Sequence, residues 1–556
     1  MQAPLMKAPG SPRRRVLLVA LTPLLALLVS VGPASARTSA AGTRIGAAGA
    51  SVGAAGASTR AAGAPAAPAA SAASKPASGH GKSAPPSPGA TKRKRRHRKP
   101  GPPVTTVSIE RSAPGAPVPS GFLGLSFEVG SLAQLASYAN GGDLVTLLRS
   151  LGPGVLRFGG VTADKNVAWV DAETPRPEWA SAVIDEADLR RLGTLAALSG
   201  WHVLLTLNLG HFEPQAAARE SAAAKAALGE SLEGLELGNE PNAYAHQGLR
   251  EEPWTFLQYD AQVAAYRAAI EAAAPGVPIA GPDVSGSSAF ETWGLGEVVN
   301  QPPALLTGHH YPLSCQGPPP PTIERLLSAP IRVLEVRSLQ RYLSVAQAGE
   351  IPFRLDEANS VSCGGVAGIS NTFAGALWAT AYVSEAMSLG VDGVNLHGHP
   401  NNCSGYTPLC APTQQAVETG TLVPQPEWYA LLLLRGLIGD RPLPTFLGDL
   451  HGHNLQVTTF LAPDGSLRSV IVDDDPPATR RAYLRLKLGA AFRYARLLPL
   501  TAPAPTSLSG VRLARAAVAT DGIWTEPVAL PVVHAKDGSI TLAVGPSRAL
   551  LLSIEP

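Results

Sequence analysis

The sequence predicts a (β/α)8 barrel followed by an all-β sandwich, and two observations carry that reading. Eight short apolar runs recur between residues 121 and 399, with stretches of helical character between them. After residue 420 the helical stretches give way to short strands separated by Gly, Pro and Asp. Strands alternating with helices imply parallel βαβ units, and eight of them match a barrel of about 250 residues. A doubly wound open sheet is the competing architecture, but no glycine-rich dinucleotide fingerprint follows the first run.

The strand candidates are "GFLGLSFEV" (121–129), "GVLRFGG" (154–160), "HVLLTLNLG" (202–210) and "LEGLELGNEP" (232–241). They continue with "VPIAGPDV" (277–284), "LLTGHHYP" (305–312), "IPFRLDEANS" (351–360) and "GVDGVNLHGH" (390–399). Helices are expected over 142–151, 186–199, 255–274, 322–348 and 370–390. The stretch 427–439 reads as a last helix, and "NLQVTTFLAPDGSLRSVIVDDD" as a hairpin turning at "APDG". The strand "VTTVSIERS", ahead of the barrel, would join the sandwich. The chain therefore divides into a barrel over 104–425 and a sandwich over 426–556.

What precedes residue 104 has a different character. Three arginines, Arg13 to Arg15, stand before an apolar stretch from Val16 to Val31 and an "ASA" tripeptide ending at Ala36. That order reads as a secretory signal peptide over 1–36, and an apolar run this short, broken by Pro23, favours cleavage over anchoring. Residues 37–103 are Ala, Gly, Ser and Pro almost throughout, a composition that cannot bury enough apolar surface to offset its ordering entropy. Sixteen of the 45 Lys and Arg lie in 1–103, which holds no Asp or Glu. The remainder carries 29 basic against 42 acidic residues, a net of −13. Nucleic-acid binding by the folded part is therefore not expected. The basic run at 92–99 would instead attach the chain to a polyanionic surface or act as a charged spacer. The chain is expected to be exported, with no membrane span once the signal is removed.

In a barrel of this kind the chemistry gathers at the carboxyl ends of the strands. Two runs end on a glutamate, Glu240 in "GNEP" and Glu357 in "LDEAN". Strand alternation puts Glu357 on the face of Leu355 and Phe353, read as the barrel interior, and turns Asp356 towards the helices. Two carboxylates facing one cleft suit glycoside hydrolysis: one protonates the leaving oxygen while the other attacks the anomeric carbon. Strand-end glutamates also cap strands or pair with cations, and two alone are poor ligands for a hard cation. No metal and no cofactor are expected.

Beyond these two positions the sequence resembles a known group. "GNEP" after the fourth run and the glutamate ending the seventh resemble the clan of retaining (β/α)8 glycosidases. Within it, "LDEANSVSCGGVAGISNTFAGALW" (355–378), "FLGLSFE" (122–128), "LRFGG" (156–160) and "GHHYP" (308–312) resemble glycoside hydrolase family 79, the β-glucuronidases and heparanases. The resemblance spans residues 104 to 556. It implies Glu240 as acid/base, Glu357 as nucleophile and Asn239 as the partner of the sugar 2-hydroxyl. It further implies Tyr311 against the nucleophile, Glu128 on sugar hydroxyls, and Cys363-Gly364-Gly365 with Tyr406 around a glucuronate carboxylate. The sequence departs from the family at Ser362, where a tyrosine is common, so a neutral sugar (a xyloside, glucoside or arabinoside) stays open. A non-catalytic polysaccharide-binding surface protein is the reading from another class.

Other polar residues have structural readings. Arg157 and Glu236 fall on inward faces and are expected to pair beneath the site. Of the adjacent His309 and His310, one would shape the sugar site and the other pack outside. The even count of four cysteines in an exported chain favours disulfides over zinc. Cys315 and Cys363 follow neighbouring strands, and Cys403 and Cys410 would close a small loop beside Tyr406.

Overall fold

The computed structural model describes residues 101–520 and 522–556. The expected signal peptide, and the linker through residue 100 with its basic run, lie outside the described residues. Eight parallel strands close into a barrel. They are β1 (Leu123–Glu128), β2 (Val155–Gly159), β3 (His202–Leu207), β4 (Leu232–Leu237), β5 (Ile279–Ser285), β6 (Leu305–His310), β7 (Phe353–Ala358) and β8 (Gly393–Gly398). Each pairs with its neighbours in chain order, and β8 closes on β1 from Val394 beside Leu123 to Gly398 beside Phe127.

The main helix after each strand is α1 (Leu144–Leu151), α2 (Glu186–Ser199), α3 (Pro214–Leu228), α4 (Phe256–Ala273), α5 (Ser287–Asn300), α6 (Ala329–Gly349), α7 (Phe373–Leu389) and α8 (Pro426–Leu434). Local signals set their ends. Asp185 caps α2 by accepting from the amides of Ala187 and Asp188, and Gly200 ends it in the left-handed conformation at φ 75°. The sequence reading passes over α3 and α5. The first is mostly alanine and shows little contrast between faces, and the second carries Gly294 and Gly296. The expected helix 322–348 is two helices, Ile323–Leu326 and α6, with Ser328 capping the second.

The strand Thr105–Ile109 leaves the barrel and joins a four-stranded sheet between Thr445–Leu447 and Ala482–Lys487, with Ser539–Val544 beyond. A second sheet is built on Leu455–Leu461, Leu467–Asp473, Arg548–Glu555 and Tyr494–Thr501. Its first two strands form the expected hairpin, pairing from Leu455 beside Asp473 to Leu461 beside Leu467. Val107, Leu467, Leu484, Ile540 and Leu552 fill the space between the two sheets. The other face of the second sheet, with Phe460, Val470 and Leu551, shares the core of the barrel. Helices α7 and α8, apolar on nearly every side, lie buried in that core. Two disulfides, Cys315–Cys363 and Cys403–Cys410, join the pairs expected. Among the described residues no helix is long and apolar enough to cross a membrane.

Candidate active site

A cleft of about 1090 Å³ opens at the carboxyl ends of the strands. Glu128, Asn239, Glu240, His309, Tyr311 and Glu357 line it. Glu240 and Glu357, 117 positions apart in sequence, meet here: one oxygen of each, with a ring nitrogen of His309, lies within 4.8 Å of the others.

Backbone strain aims the first of them. After β4 the chain turns at Gly238 (φ 82°), and Glu240 itself is left-handed at φ 49°. Its amide donates to the carbonyl of Asp283 at 2.9 Å, fixing the turn against β5. A glutamate in this conformation is uncommon outside constrained sites. His309 Nδ1 sits 3.1 Å from Glu240 Oε1. The Glu240 side chain keeps 23% exposure against 9% for Glu357, so of the two it is the one that water reaches more easily.

Glu357 is gripped on both oxygens. Tyr311 Oη donates to Oε1 at 2.7 Å, and Arg157 Nη1 donates to Oε2 at 2.6 Å. His397 Nδ1 stands 3.8 Å from Oε2 and is held by Ser126 at 2.9 Å. Burial alone would raise the Glu357 pKa, but His397, His309, Arg157 and the Tyr311 hydrogen bond outweigh it and hold the carboxyl well below its usual range. Tyr311, buried beside that charge, keeps its phenol proton.

Beneath the pair lies a buried cluster of charge. Arg157 Nε meets Glu236 Oε2 at 2.9 Å, the expected inward pair. The same guanidinium also reaches Asp283 at 2.9 Å, Asp356 at 3.1 Å and Asn239 Oδ1 at 2.9 Å. Arg157 is thus more than scaffold, since it touches Glu357 directly. His309 Nε2 contacts Asp283 Oδ1 at 2.7 Å. Burial pushes the carboxyl of Asp283 well up and that of Glu236 up to about 7. Burial opposes ionisation of Asp356 too, but Arg157 and His309 draw its carboxyl well down. The imidazole of His309 is pushed up by Glu357, Asp283 and Asp356 against the pull of burial. The two basic groups, Arg157 and His309, thus favour the ionised forms of Asp356 and Glu357, whereas burial favours the neutral forms of Asp283 and Glu236.

Strand alternation at β7 misleads, and the placement of Asp356 is corrected. Phe353 stacks on Tyr342 of α6, with ring centroids 4.8 Å apart, and packs edge-on to Phe290 of α5, so its face is the helix layer. Asp356 points inward to Arg157, and a register shift between Arg354 and Glu357 returns Glu357 to the cleft as well. The irregular strand delivers two consecutive carboxylates to one interior.

The remaining expected residues are distributed as follows. Asn239 Oδ1 accepts from Arg157 and from the amide of Gly160 at 2.9 Å. Gly160 sits at φ 74°, where an L side chain is strained, and a Cβ there would lie 2.4 Å from Glu128 Oε2 and displace that carboxylate. Glu128 accepts from the amide and hydroxyl of Thr162, and His397 and Thr162 hold its carboxyl below its usual range against burial. Tyr406 Oη lies 3.1 Å from Tyr311 Oη and accepts from the amide of Gly364 at 3.2 Å. Gly364 lines the cleft; Gly365 lines an adjacent hollow, and its amide donates to Ser362 O at 3.4 Å. His310 stacks on Tyr382, ring centroids 4.8 Å apart, the outside position expected for one of the two histidines. Sequence reasoning missed Asp283, His397 and His399, the last lining the cleft and stacked on Tyr406 with ring centroids 5.6 Å apart. Each stands at a strand end, in "GPDV" and "NLHGH", and that position was their signal.

No protein-family profile matches the chain, and no curated protein matches its sequence. Solved structures share its fold. A 4-O-α-L-rhamnosyl-β-D-glucuronidase of Fusarium oxysporum 12S is 19% identical with a TM-score of 0.66, covering 81% of this chain and 100% of its own. A family 51 arabinofuranosidase of Xanthomonas axonopodis pv. citri is 14% identical with a TM-score of 0.59 over 81% and 100%. The α-L-arabinofuranosidase of Thermotoga maritima is 13% identical with a TM-score of 0.57 over 81% and 100%. These neighbours are (β/α)8 glycosidases, and at such identities the likeness is one of fold.

Proposed function

We propose that the protein is an exported retaining glycoside hydrolase that cleaves β-glucuronides or glucuronate-containing glycans. The observation that carries the reading is the approach of Glu240 and Glu357 to within 4.8 Å, oxygen to oxygen. Retaining enzymes hold their carboxyl groups about 5–5.5 Å apart, whereas inverting ones leave about 6.5–9.5 Å for a water between them.

The roles follow from the surroundings. Glu357, ionised and steadied by Arg157 and Tyr311, attacks the anomeric carbon as the glycosidic bond breaks. Glu240 gives its proton to the departing oxygen and, in the second step, takes one from the water that hydrolyses the glycosyl-enzyme. Covalent capture removes the charge on Glu357, so the second step finds Glu240 without an anionic neighbour on that side. Asn239, whose Oδ1 is fixed by Arg157 and Gly160, offers its side-chain amide nitrogen, Nδ2, to the sugar 2-hydroxyl. Glu128 accepts from other hydroxyls. Tyr406 and the Gly364 loop would receive the uronate carboxylate, the role that the resemblance to family 79 implies for them.

One observation favours a neutral sugar instead. The amides of Gly364 and Gly365 are already taken, by Tyr406 and Ser362, and Ser362 Oγ accepts from the amide of Cys315. A carboxylate would have to displace Tyr406 from Gly364 to use that amide. A panel of aryl β-glucuronide, xyloside, glucoside and arabinofuranoside decides between them. The proposal expects the glucuronide to be turned over best; preference for a neutral sugar removes the carboxylate clamp, and binding without cleavage of any of them removes the enzyme. Export fits the two disulfides, and the basic run at 92–99 would hold the enzyme near polyanionic surfaces.

A further inference from the structure

The strand Leu467–Asp473 of the second sheet runs out into three consecutive aspartates, Asp473, Asp474 and Asp475, all buried. Asp474 is answered by Arg332 of α6 in an ion pair. The other two are not: among the described residues no lysine or arginine pairs with Asp473 or Asp475. Asp475 Oδ2 meets His453 Nδ1 at 2.6 Å, and its Oδ1 accepts from the amide of Asn454 at 3.0 Å. Asp473 Oδ1 accepts from the amide of Asp475 at 3.1 Å. Its second oxygen, Oδ2, is buried with no hydrogen-bond partner. One donor atom from each of His453, Asp473 and Asp475 lies within 4.8 Å of the other two.

Two buried carboxyl groups this close cannot both ionise cheaply: burial and the nearby Asp475 and Asp474 push the Asp473 carboxyl up to about 8, so without a cation it keeps a proton that an ion would displace. We infer that His453, Asp473 and Asp475 form a site for one divalent transition-metal ion, of the Zn2+ or Mn2+ kind. An imidazole nitrogen with two carboxylates suits such ions, whereas Ca2+ takes six to eight oxygen ligands. The ion would offset both negative charges, and water would complete its shell. Its place is structural and far in chemistry from the sugar cleft. Asn454, next to His453, donates to the carbonyl of Leu327, and Arg332 donates to the carbonyl of Leu455 at 3.3 Å. The ion would therefore fasten the turn at 450–454 where the sandwich meets the barrel.

The test uses the full chain without a histidine tag, stripped with chelator and dialysed against micromolar Zn2+. Metal content is read by mass spectrometry and stability by thermal melting. The expected result is one equivalent of zinc retained and a Tm raised by on the order of 5 °C. Asp473→Asn and His453→Ala should each lose the ion and the Tm response, while Glu240→Gln in the sugar cleft keeps both. If Asp473→Asn fails to fold, His453→Ala, at a partly exposed turn, decides alone. Zinc retained undiminished by the variants overturns the site. So does a parent chain that holds none, in which case His453 and Asp475 are a simple hydrogen-bonded pair.

Discussion

The interior of the barrel and the interior of the sandwich are both filled by inward-facing strand residues, and they are filled with opposite materials. Between the sandwich sheets lie Val107, Leu467, Leu484, Ile540 and Leu552. Inside the barrel, beneath the cleft, lie Arg157, Glu236, Asp283, Asp356 and His309, all buried. Apolar filling stabilises by about 25 cal/mol per Å² removed from water. A buried ionic cluster gains little net stability, because desolvation offsets the attraction. The barrel cluster is instead what orients Glu357, Asn239 and Glu240, while apolar packing between the sandwich sheets and around the outside of the barrel carries the stability.

Substitutions that break this division are ordered by size. Glu357→Gln removes the attacking group and should lower kcat/KM by about 10⁴-fold or more, about 5 kcal/mol of transition-state stabilisation, while the chain still folds. Glu240→Ala should cost about 10²–10⁴-fold on a poor leaving group and far less on an activated aryl one. Equal losses on the two substrates would remove the role given to Glu240. Arg157→Met should cost both properties, about 3–5 kcal/mol of stability and most of the activity, because it leaves Asp356 and Glu357 uncompensated. Leu552→Ala in the sandwich should cost about 2–5 kcal/mol by denaturant titration, yet leave kcat per folded molecule unchanged.

A finer prediction concerns pH. Burial in α3 pushes the Glu220 carboxyl up to about 8. Between pH 4.5 and 8 the folded chain keeps that proton while the unfolded chain loses it, so this group's contribution to stability falls as pH rises and is gone above 8. Glu220→Gln should flatten the decline and raise stability at pH 8 by on the order of 2–4 kcal/mol. An unchanged urea midpoint at that pH would show that the group is not held neutral.

The eight barrel strands were legible because parallel strands buried on both faces read as continuous apolar runs. The two glutamates were legible because they end such runs. Helix α3 was not, since alanine satisfies helix propensity without marking a face. The inward turn of Asp356 was not, because alternation assumes a regular strand and β7 shifts register after Arg354. Arg157 was legible as inward-facing, but its hold on Glu357 joins residues 200 apart in sequence, which no local pattern encodes.

The most direct test of the two-carboxylate mechanism is covalent capture. The chain is incubated with a 2-deoxy-2-fluoroglycosyl fluoride of whichever sugar it turns over, digested, and its peptides are weighed. The account predicts a single glycosyl adduct on Glu357, formed by the parent and by Glu240→Ala but not by Glu357→Gln. Turnover with no adduct, or an adduct on any other side chain, would contradict it.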